Sequence, residues 1–454
     1  MSLNKNVTTP IYDFVSRYAD SDETRLHMPG HKGQAFLGLE QLDITEISGA
    51  DSLYEADGII KESEQNATAI FGTAKTVYST QGSSQVICAM LYLVMQCAKE
   101  KKIKHNKKPV IIAARNAHKA FIHAASLLDF DVVWLWPNEN MDSICSCPIT
   151  AKQVAEAIEA NQDSVAGVYI TSPDYLGGMQ DVKAIAEVCH KHNVMLAVDN
   201  AHGAYLHFLE ESLHPMDLGA DVCCDSAHKT LPVLTGGAYL HIGKSAPKQF
   251  LDQAKYAMSL FGSTSPSYLM MASLDLCNRY LYDDYKSVLK EVVVKINDLK
   301  SRLKQNGWNV LESDPLKLVI SQQNGTQEIL DHLQSHRVVW EYADQDYVVF
   351  MFTPENTETD FERVYEALGL RRAPYNPKSN SLIYQTNQVL SIRDAMFSAG
   401  ETVSLDMAKG RISRVPTVSC PPAIPIAVPG EIITSEMIEV FQYYGIEKID
   451  VVNG

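Results

Sequence analysis

Apolar residues in this chain come in short unbroken runs, separated by stretches of helical period. "PVIIAARNAH" (109–118), "DVVWLWP" (131–137), "VAGVYITSP" (165–173), "VMLAVDNAHG" (194–203), "ADVCCDSAHK" (220–229) and "GGAYLHIG" (236–243) each read as a strand running into a loop. Between them, "TAKQVAEAIEAN" (150–161) and "VKAIAEVCHKHN" (182–193) space their apolar residues as a helix does. Runs that are apolar throughout belong to strands covered on both faces, and strand–helix alternation implies a mostly parallel sheet. From about 275 the pattern becomes a long helical stretch to about 307, followed by the short strands "LKLVIS" and "YVVFMF" of a smaller α/β unit. "APYNPKSNS" near 376 reads as a linker. "CPPAIPIAVPGE" (420–431) holds too much proline for a helix or a central strand. These shifts predict an N-terminal segment 1–50, a large domain 51–285, a small α/β domain 286–375 and a C-terminal region 376–454.

Composition narrows the function classes. The formal net charge of −16 over 454 residues is the opposite of a nucleic-acid-binding face. No apolar run reaches the ~20 residues of a membrane helix, and "MSLNKNVTTPIYDF" lacks the apolar stretch of a signal peptide. The expectation is a cytoplasmic protein with no membrane or nucleic-acid partner. Nine cysteines in so long a chain are no disulfide framework, and Cys145-x-Cys147 and Cys223-Cys224 have no second pair at zinc spacing. Reduced thiols and no metal are expected.

Four His-Lys pairs compete for the role of a reactive amine: His31-Lys32, His118-Lys119, His190-Lys191 and His228-Lys229. In open α/β sheets ligands bind at the carboxyl ends of strands. Lys191 lies late in an amphipathic helix, and Lys32 sits in a glycine-flanked loop with no strand before it. Lys119 and Lys229 both follow strands, but Lys229 has better company. Asp199 ends the preceding strand, and Gly236 and Gly237 follow. An amine that forms an imine must be partly neutral, and a carboxylate can hold a ring nitrogen protonated. That is the lysine–aspartate pairing of a pyridoxal phosphate (PLP) site. Gly82, Ser83 and Ser84 open the apolar helix of "STQGSSQVICAMLYL", a phosphate cradle or simply an N-cap. "GGAYLHIGKS" nearly spells a P-loop but has Ala238 in place of the first glycine.

"HMPGHKG", "STQGSSQ", "RNAHKAF", "DNAHGAY", "DSAHKTLP", "TSPSYLMMASLD" and "PPAIPIAVPGE", in this order, resemble the Orn/Lys/Arg decarboxylases of PLP fold type I in their short bacterial form. The resemblance implies an α/β homodimer that decarboxylates lysine, ornithine or arginine to CO2 and the matching amine, on the way to polyamines. It implies Lys229 as the Schiff-base lysine, Asp199 as partner of the pyridine nitrogen and His118 as the imidazole stacked on the ring. Ser83, Ser84, Ser226 and His228 fall at phosphate positions, beside Gly82, and His202 falls near the phenolic oxygen. Thr264 and Ser265 resemble a segment that reaches the neighbouring subunit's phosphate. Lys229, with His202 as second choice, is the expected proton donor to Cα. The chain departs from the family at Cys420 and Ala423, where a tyrosine and a glycine are usual. That puts substrate choice in doubt.

Other readings stay open at this level. Another PLP reaction, transamination or aldol cleavage, is compatible with the same lysine, with Arg393 a candidate clamp for a substrate carboxylate. A metal-dependent hydrolase on Asp199, His202 and His207, or a catalytically silent PLP-fold binding protein, are the remaining alternatives.

Overall fold

Strand boundaries follow the apolar runs closely. The computed structural model describes residues 7–100, 107–137, 143–322, 326–369, 386–417 and 424–454. Its strands are β1 (Lys75–Ser79), β2 (Val110–Ala114), β3 (Asp131–Leu135), β4 (Val165–Thr171), β5 (Met195–Asp199), β6 (Val222–Asp225) and β7 (Ala238–Ile242). Then come β8 (Asn309–Val310), β9 (Lys317–Ser321), β10 (Tyr342–Ala343), β11 (Tyr347–Met351), β12 (Gly400–Ser404) and β13 (Lys448–Val452). The chain forms two compact units, one from residues 1–101 and 182–288 and the other from 102–181 and 289–454.

In the first unit the strand order is β1-β7-β6-β5. β5 and β6 are parallel, with Asp199 opposite Cys224. All five residues of β5 and all four of β6 are buried, as unbroken apolar runs require. β7 runs antiparallel to both neighbours. The link 226–237 contains a single helical turn, Ala227–Thr230, and no crossover helix, so the chain doubles back instead of returning parallel. β1 is absent from the sequence reading because "KTVYS" has no apolar run. Its polar members are buried against polar partners, one remote in sequence and one near: Thr76 Oγ1 lies 2.8 Å from His241 Nδ1, and the Ser79 hydroxyl donates to Gln85 Oε1 at 2.6 Å.

In the second unit β4, β2 and β3 are adjacent in that order and parallel throughout. A four-stranded antiparallel sheet, β10-β11-β9-β8, forms the smaller α/β part, and β12 pairs with β13. The helical stretch after 268 is not one helix. It is Tyr268–Asp283 and Tyr285–Gln305, parted at Asp284, whose ψ of −11° and φ of −126° leave the helical region. The linker near 376, Cys420 and Ala423 lie outside the described residues. No helix among the described residues is long and apolar enough to cross a membrane.

One ion pair anchors this unit. Arg115, just past β2, donates from both terminal nitrogens to the two carboxylate oxygens of Glu431, each at 2.8 Å. Both side chains are sealed from solvent, and the guanidinium lies 5.0 and 4.9 Å from the ring centres of Trp134 and Trp136. The backbone N–H of Val428 donates to the same carboxylate at 2.8 Å. A buried pair broken on one side leaves an uncompensated charge. Glu431→Gln should therefore lower unfolding free energy by about 3–5 kcal/mol, read by denaturant titration. A loss under about 1 kcal/mol would mean that the pair does not hold this segment.

Candidate active site

The candidate site in the first unit gathers at the carboxyl ends of two parallel strands. Asp199 closes β5, and β6 leads through Asp225 and Ser226 into the turn that carries Lys229. Of the four His-Lys pairs, Lys32, Lys119 and Lys191 have exposed side chains, while Lys229 is half-buried. The Lys229 Nζ lies 3.0 Å from Nε2 of His202, which is itself buried. Asp199 is 1 % exposed. Its Oδ1 accepts from the backbone N–H of Ala201 at 3.2 Å and from the Cys224 thiol at 3.4 Å.

Hydroxyls and a helix start stand nearby in the same unit. Gly82 begins the helix Gly82–Glu100 with φ of +71°, a conformation that disfavours any side chain. Its N–H donates to the Gly236 carbonyl at 2.7 Å, which ties the helix start to the segment after Lys229. The buried Ser226 hydroxyl donates to Ser83 Oγ at 2.8 Å, and Ser84 is exposed beside it. The His228 Nδ1–H donates to the Gly237 carbonyl at 2.9 Å. Burial holds His228 below the usual imidazole range, with the Lys229 charge adding to it. Its Nε2 can donate to an anion when the ring is protonated, which the anion itself would favour.

Thr264 and Ser265 lie exposed in the turn between the helices Lys248–Ser259 and Tyr268–Asp283. At the start of this turn a Cβ on Gly262 would fall 1.9 Å from the Tyr54 hydroxyl and 2.2 Å from Gln85 Nε2, so any larger residue would displace these two side chains. His118 belongs to the other unit. There it caps the helix Lys119–Leu128, its Nδ1 accepting from Ala120 N–H at 3.1 Å.

The donor set fits PLP: an amine for an aldehyde, a buried carboxylate for a ring nitrogen, and serine hydroxyls at a helix start for a phosphate. The close amine–imidazole pair can also pass a proton. The hydrolase alternative fails on His207, whose ring nitrogens are engaged by Asp217 Oδ2 at 2.6 Å and by the Ile70 carbonyl at 3.0 Å. Two participants at this sheet edge escaped the sequence reading, Asn200 and Asp225. Asn200 Nδ2 donates to Asp225 Oδ1 at 2.6 Å. Both were in view as neighbours of Asp199 and Lys229, but nothing in the sequence says that they touch.

The chain matches the family models described as Orn/Lys/Arg decarboxylase, major domain, over residues 9–366, and Orn/Lys/Arg decarboxylase, C-terminal domain, over 383–448. It is 30 % identical over 466 residues to an arginine decarboxylase of Bacillus subtilis (strain 168), covering 95 % of this chain and 92 % of that protein. An arginine decarboxylase of Bacillus anthracis is 28 % identical over 469 residues, with 95 % and 92 % covered. Among solved structures, the Francisella novicida lysine decarboxylase LdcF superposes with a TM-score of 0.80 at 16 % identity, covering 98 % of this chain and 81 % of that one. That likeness shows the fold, the α/β architecture of PLP type I enzymes.

Proposed function

Because the chain belongs to the Orn/Lys/Arg decarboxylase family, we propose that it is a PLP-dependent decarboxylase of a basic amino acid, with Lys229 as its reactive amine. The observation that carries the site assignment is the half-buried Lys229 Nζ, 3.0 Å from the buried His202 Nε2, at a sheet edge shared with the buried Asp199. PLP, when bound, supplies an aldehyde that condenses with amines and a ring that takes up the electron pair left behind as CO2 departs.

The protein's own residues do the rest. Lys229 would hold the cofactor through its Nζ and, in its ammonium form, would be placed to deliver a proton to Cα. His202, hydrogen-bonded to it, receives or returns that proton. Asp199, fixed by Ala201 N–H and the Cys224 thiol, would face the ring nitrogen and favour its protonated form. Gly82, Ser83, Ser84, Ser226 and, when protonated, His228 would line the phosphate position. The resemblance adds His118 for the ring face, and Thr264 and Ser265 from a second copy. That last role requires a homodimer or larger assembly. A native mass of one chain, 50.4 kDa, would overturn it.

Arg393 is engaged elsewhere. Its NH1 donates to the carbonyls of Ser126 and Leu127, at 2.8 and 3.4 Å, at the end of the helix Lys119–Leu128. That weakens it as a substrate clamp and with it the transamination reading. The deciding assay incubates the protein and PLP with L-lysine, L-ornithine or L-arginine. Release of CO2 with cadaverine, putrescine or agmatine is the expected result. A keto acid without CO2, or no turnover of any of the three, overturns decarboxylation.

A further inference from the structure

We infer that Asp225 and Asn200 act as a paired positioning device, which locks the loop after Asp199 to the turn carrying Lys229. The inference rests on the function proposed above.

The Asp225 carboxylate is completely buried and surrounded by donors. Its Oδ2 lies 2.9 Å from His214 Nε2 and 3.1 Å from His241 Nε2, and its Oδ1 accepts from Asn200 Nδ2 at 2.6 Å. The tautomers are set from outside. The backbone N–H of Met216 donates to His214 Nδ1 at 3.3 Å, so the hydrogen of that ring is on Nε2 and points at Asp225. The Thr76 hydroxyl stands 2.8 Å from His241 Nδ1, and Thr73 Oγ1 lies 2.9 Å from Thr76 Oγ1. His241 Nε2–H donates to the carboxylate, and Thr76 and Thr73 continue the hydrogen-bonded chain behind that ring. Phe71 packs 4.6 Å from the His241 ring and shields it. Burial pushes the Asp225 carboxyl up, but the two imidazoles outweigh it and hold the group well below the usual carboxylate range.

His214, Cys223 and Asp225 offer ligand atoms within 4.8 Å of one another, which is metal-like spacing. Their hydrogen bonds already have a use, since Met216 N–H on Nδ1 leaves the His214 hydrogen on Nε2, directed at Asp225. Burial, with the charges of Asp225 and Asp199 adding, pushes the Cys223 thiol well above its usual range, so it stays protonated and faces Asp225 Oδ1 at 3.9 Å as a weak donor. The imidazoles aim N–H groups, not lone pairs, at the same carboxylate.

This anion has one task that its position makes evident. Asp225 is the last residue of β6, four before Lys229, and Asn200 directly follows Asp199 at the end of β5. Asn200 is held in turn: its N–H donates to the Cys224 carbonyl at 3.0 Å, and its own carbonyl accepts from Gly203 N–H at 2.8 Å. A Cβ on Gly203 would fall 2.0 Å from Asn200 Oδ1, so glycine at 203 is what leaves room for this amide. The amine and the ring-facing carboxylate are therefore referenced to one rigid point, and small displacements of reacting groups are costly.

The test uses Asn200→Ala, Asp225→Asn and the exchange Asn200→Asp with Asp225→Asn. Asn200→Ala leaves Asp225 its two imidazole donors, so it should fold. In Asp225→Asn, an amide that turns its oxygen to the histidines turns its NH2 on Asn200, which keeps the contact only by flipping its own amide and loses the charge it donated to. The exchange restores one donor–acceptor pair. Amide hydrogen exchange on the cofactor-free chain, followed by mass, should show protection falling on the order of tenfold in both 199–203 and 226–230 for Asn200→Ala, at nearly wild-type thermal stability. PLP affinity, titrated by visible absorbance, should fall by a similar factor. The exchanged pair should recover most of both relative to Asp225→Asn. Wild-type protection in either segment of a folded Asn200→Ala chain, or no recovery in the exchanged pair, would overturn the inference. Failure of the wild-type chain to bind PLP would overturn the proposed function instead, while the exchange data would still report on the coupling.

Discussion

Lys229→Ala should abolish turnover, with a loss on the order of 10³-fold or more, the scale seen when a covalent nucleophile is removed. No neighbour can replace it, because Lys32, Lys119 and Lys191 are exposed side chains away from any buried imidazole partner like that of Lys229. The same expectation has a chemical form. Borohydride reduction of the PLP-loaded protein should place the pyridoxyl group on the peptide holding Lys229 and on none of the other three. The fold should survive the alanine. Lys229 lies on a single helical turn whose backbone is secured independently, the His228 N–H by the Gly237 carbonyl at 3.2 Å and the Leu231 N–H by the Ala227 carbonyl at 2.8 Å. A labelled peptide around Lys119, or an alanine variant retaining a tenth of normal turnover, would send the assignment elsewhere.

Asp199→Asn should separate cofactor binding from catalysis. The asparagine carbonyl can still accept from Ala201 N–H, so the loop should hold its course, and the phosphate cradle is untouched. PLP affinity should therefore change little. What an amide cannot supply is the standing negative charge that keeps a ring nitrogen protonated. Losing a preorganised electrostatic group of this kind costs on the order of 100-fold or more in kcat. Paired measurements of kcat and of PLP affinity on one preparation read the split. Near-normal turnover would mean that another residue faces the ring nitrogen, and a parallel loss of affinity would mean that Asp199 serves to hold the cofactor and not to tune it.

The second expectation depends on a carboxylate that is legible in the sequence, and the proposed positioning device depends on one that is not. Asp199 can be picked out because it ends an unbroken apolar run, and such a run is a strand buried on both faces whose end opens on the sheet edge. Lys229 is separable from three similar lysines by the same rule. Asp225 also ends an apolar run, yet its role cannot be read there. Its partners His214, His241 and Asn200 stand 11, 16 and 25 residues away along the chain. They meet only because β5, β6 and β7 are neighbours in that order, and hydrophobic period carries no record of strand order or direction.

By itself the sequence determined which apolar runs are strands, though β3 is only partly covered, which lysine follows a strand end with a carboxylate beside it, and where a helix start offers hydroxyls to an anion. These are local properties, written in side-chain period and in the few residues after each run. Tertiary structure alone decided that β7 turns back antiparallel and that the polar strand β1 is buried. It also decided that Arg115 spends its charge on Glu431 and that Asp225 collects its donors from three separate segments. The turn of β7 follows from the short link 226–237, and the other three depend on which distant polar groups meet. A buried polar group is stable only when its partner arrives from elsewhere in the fold.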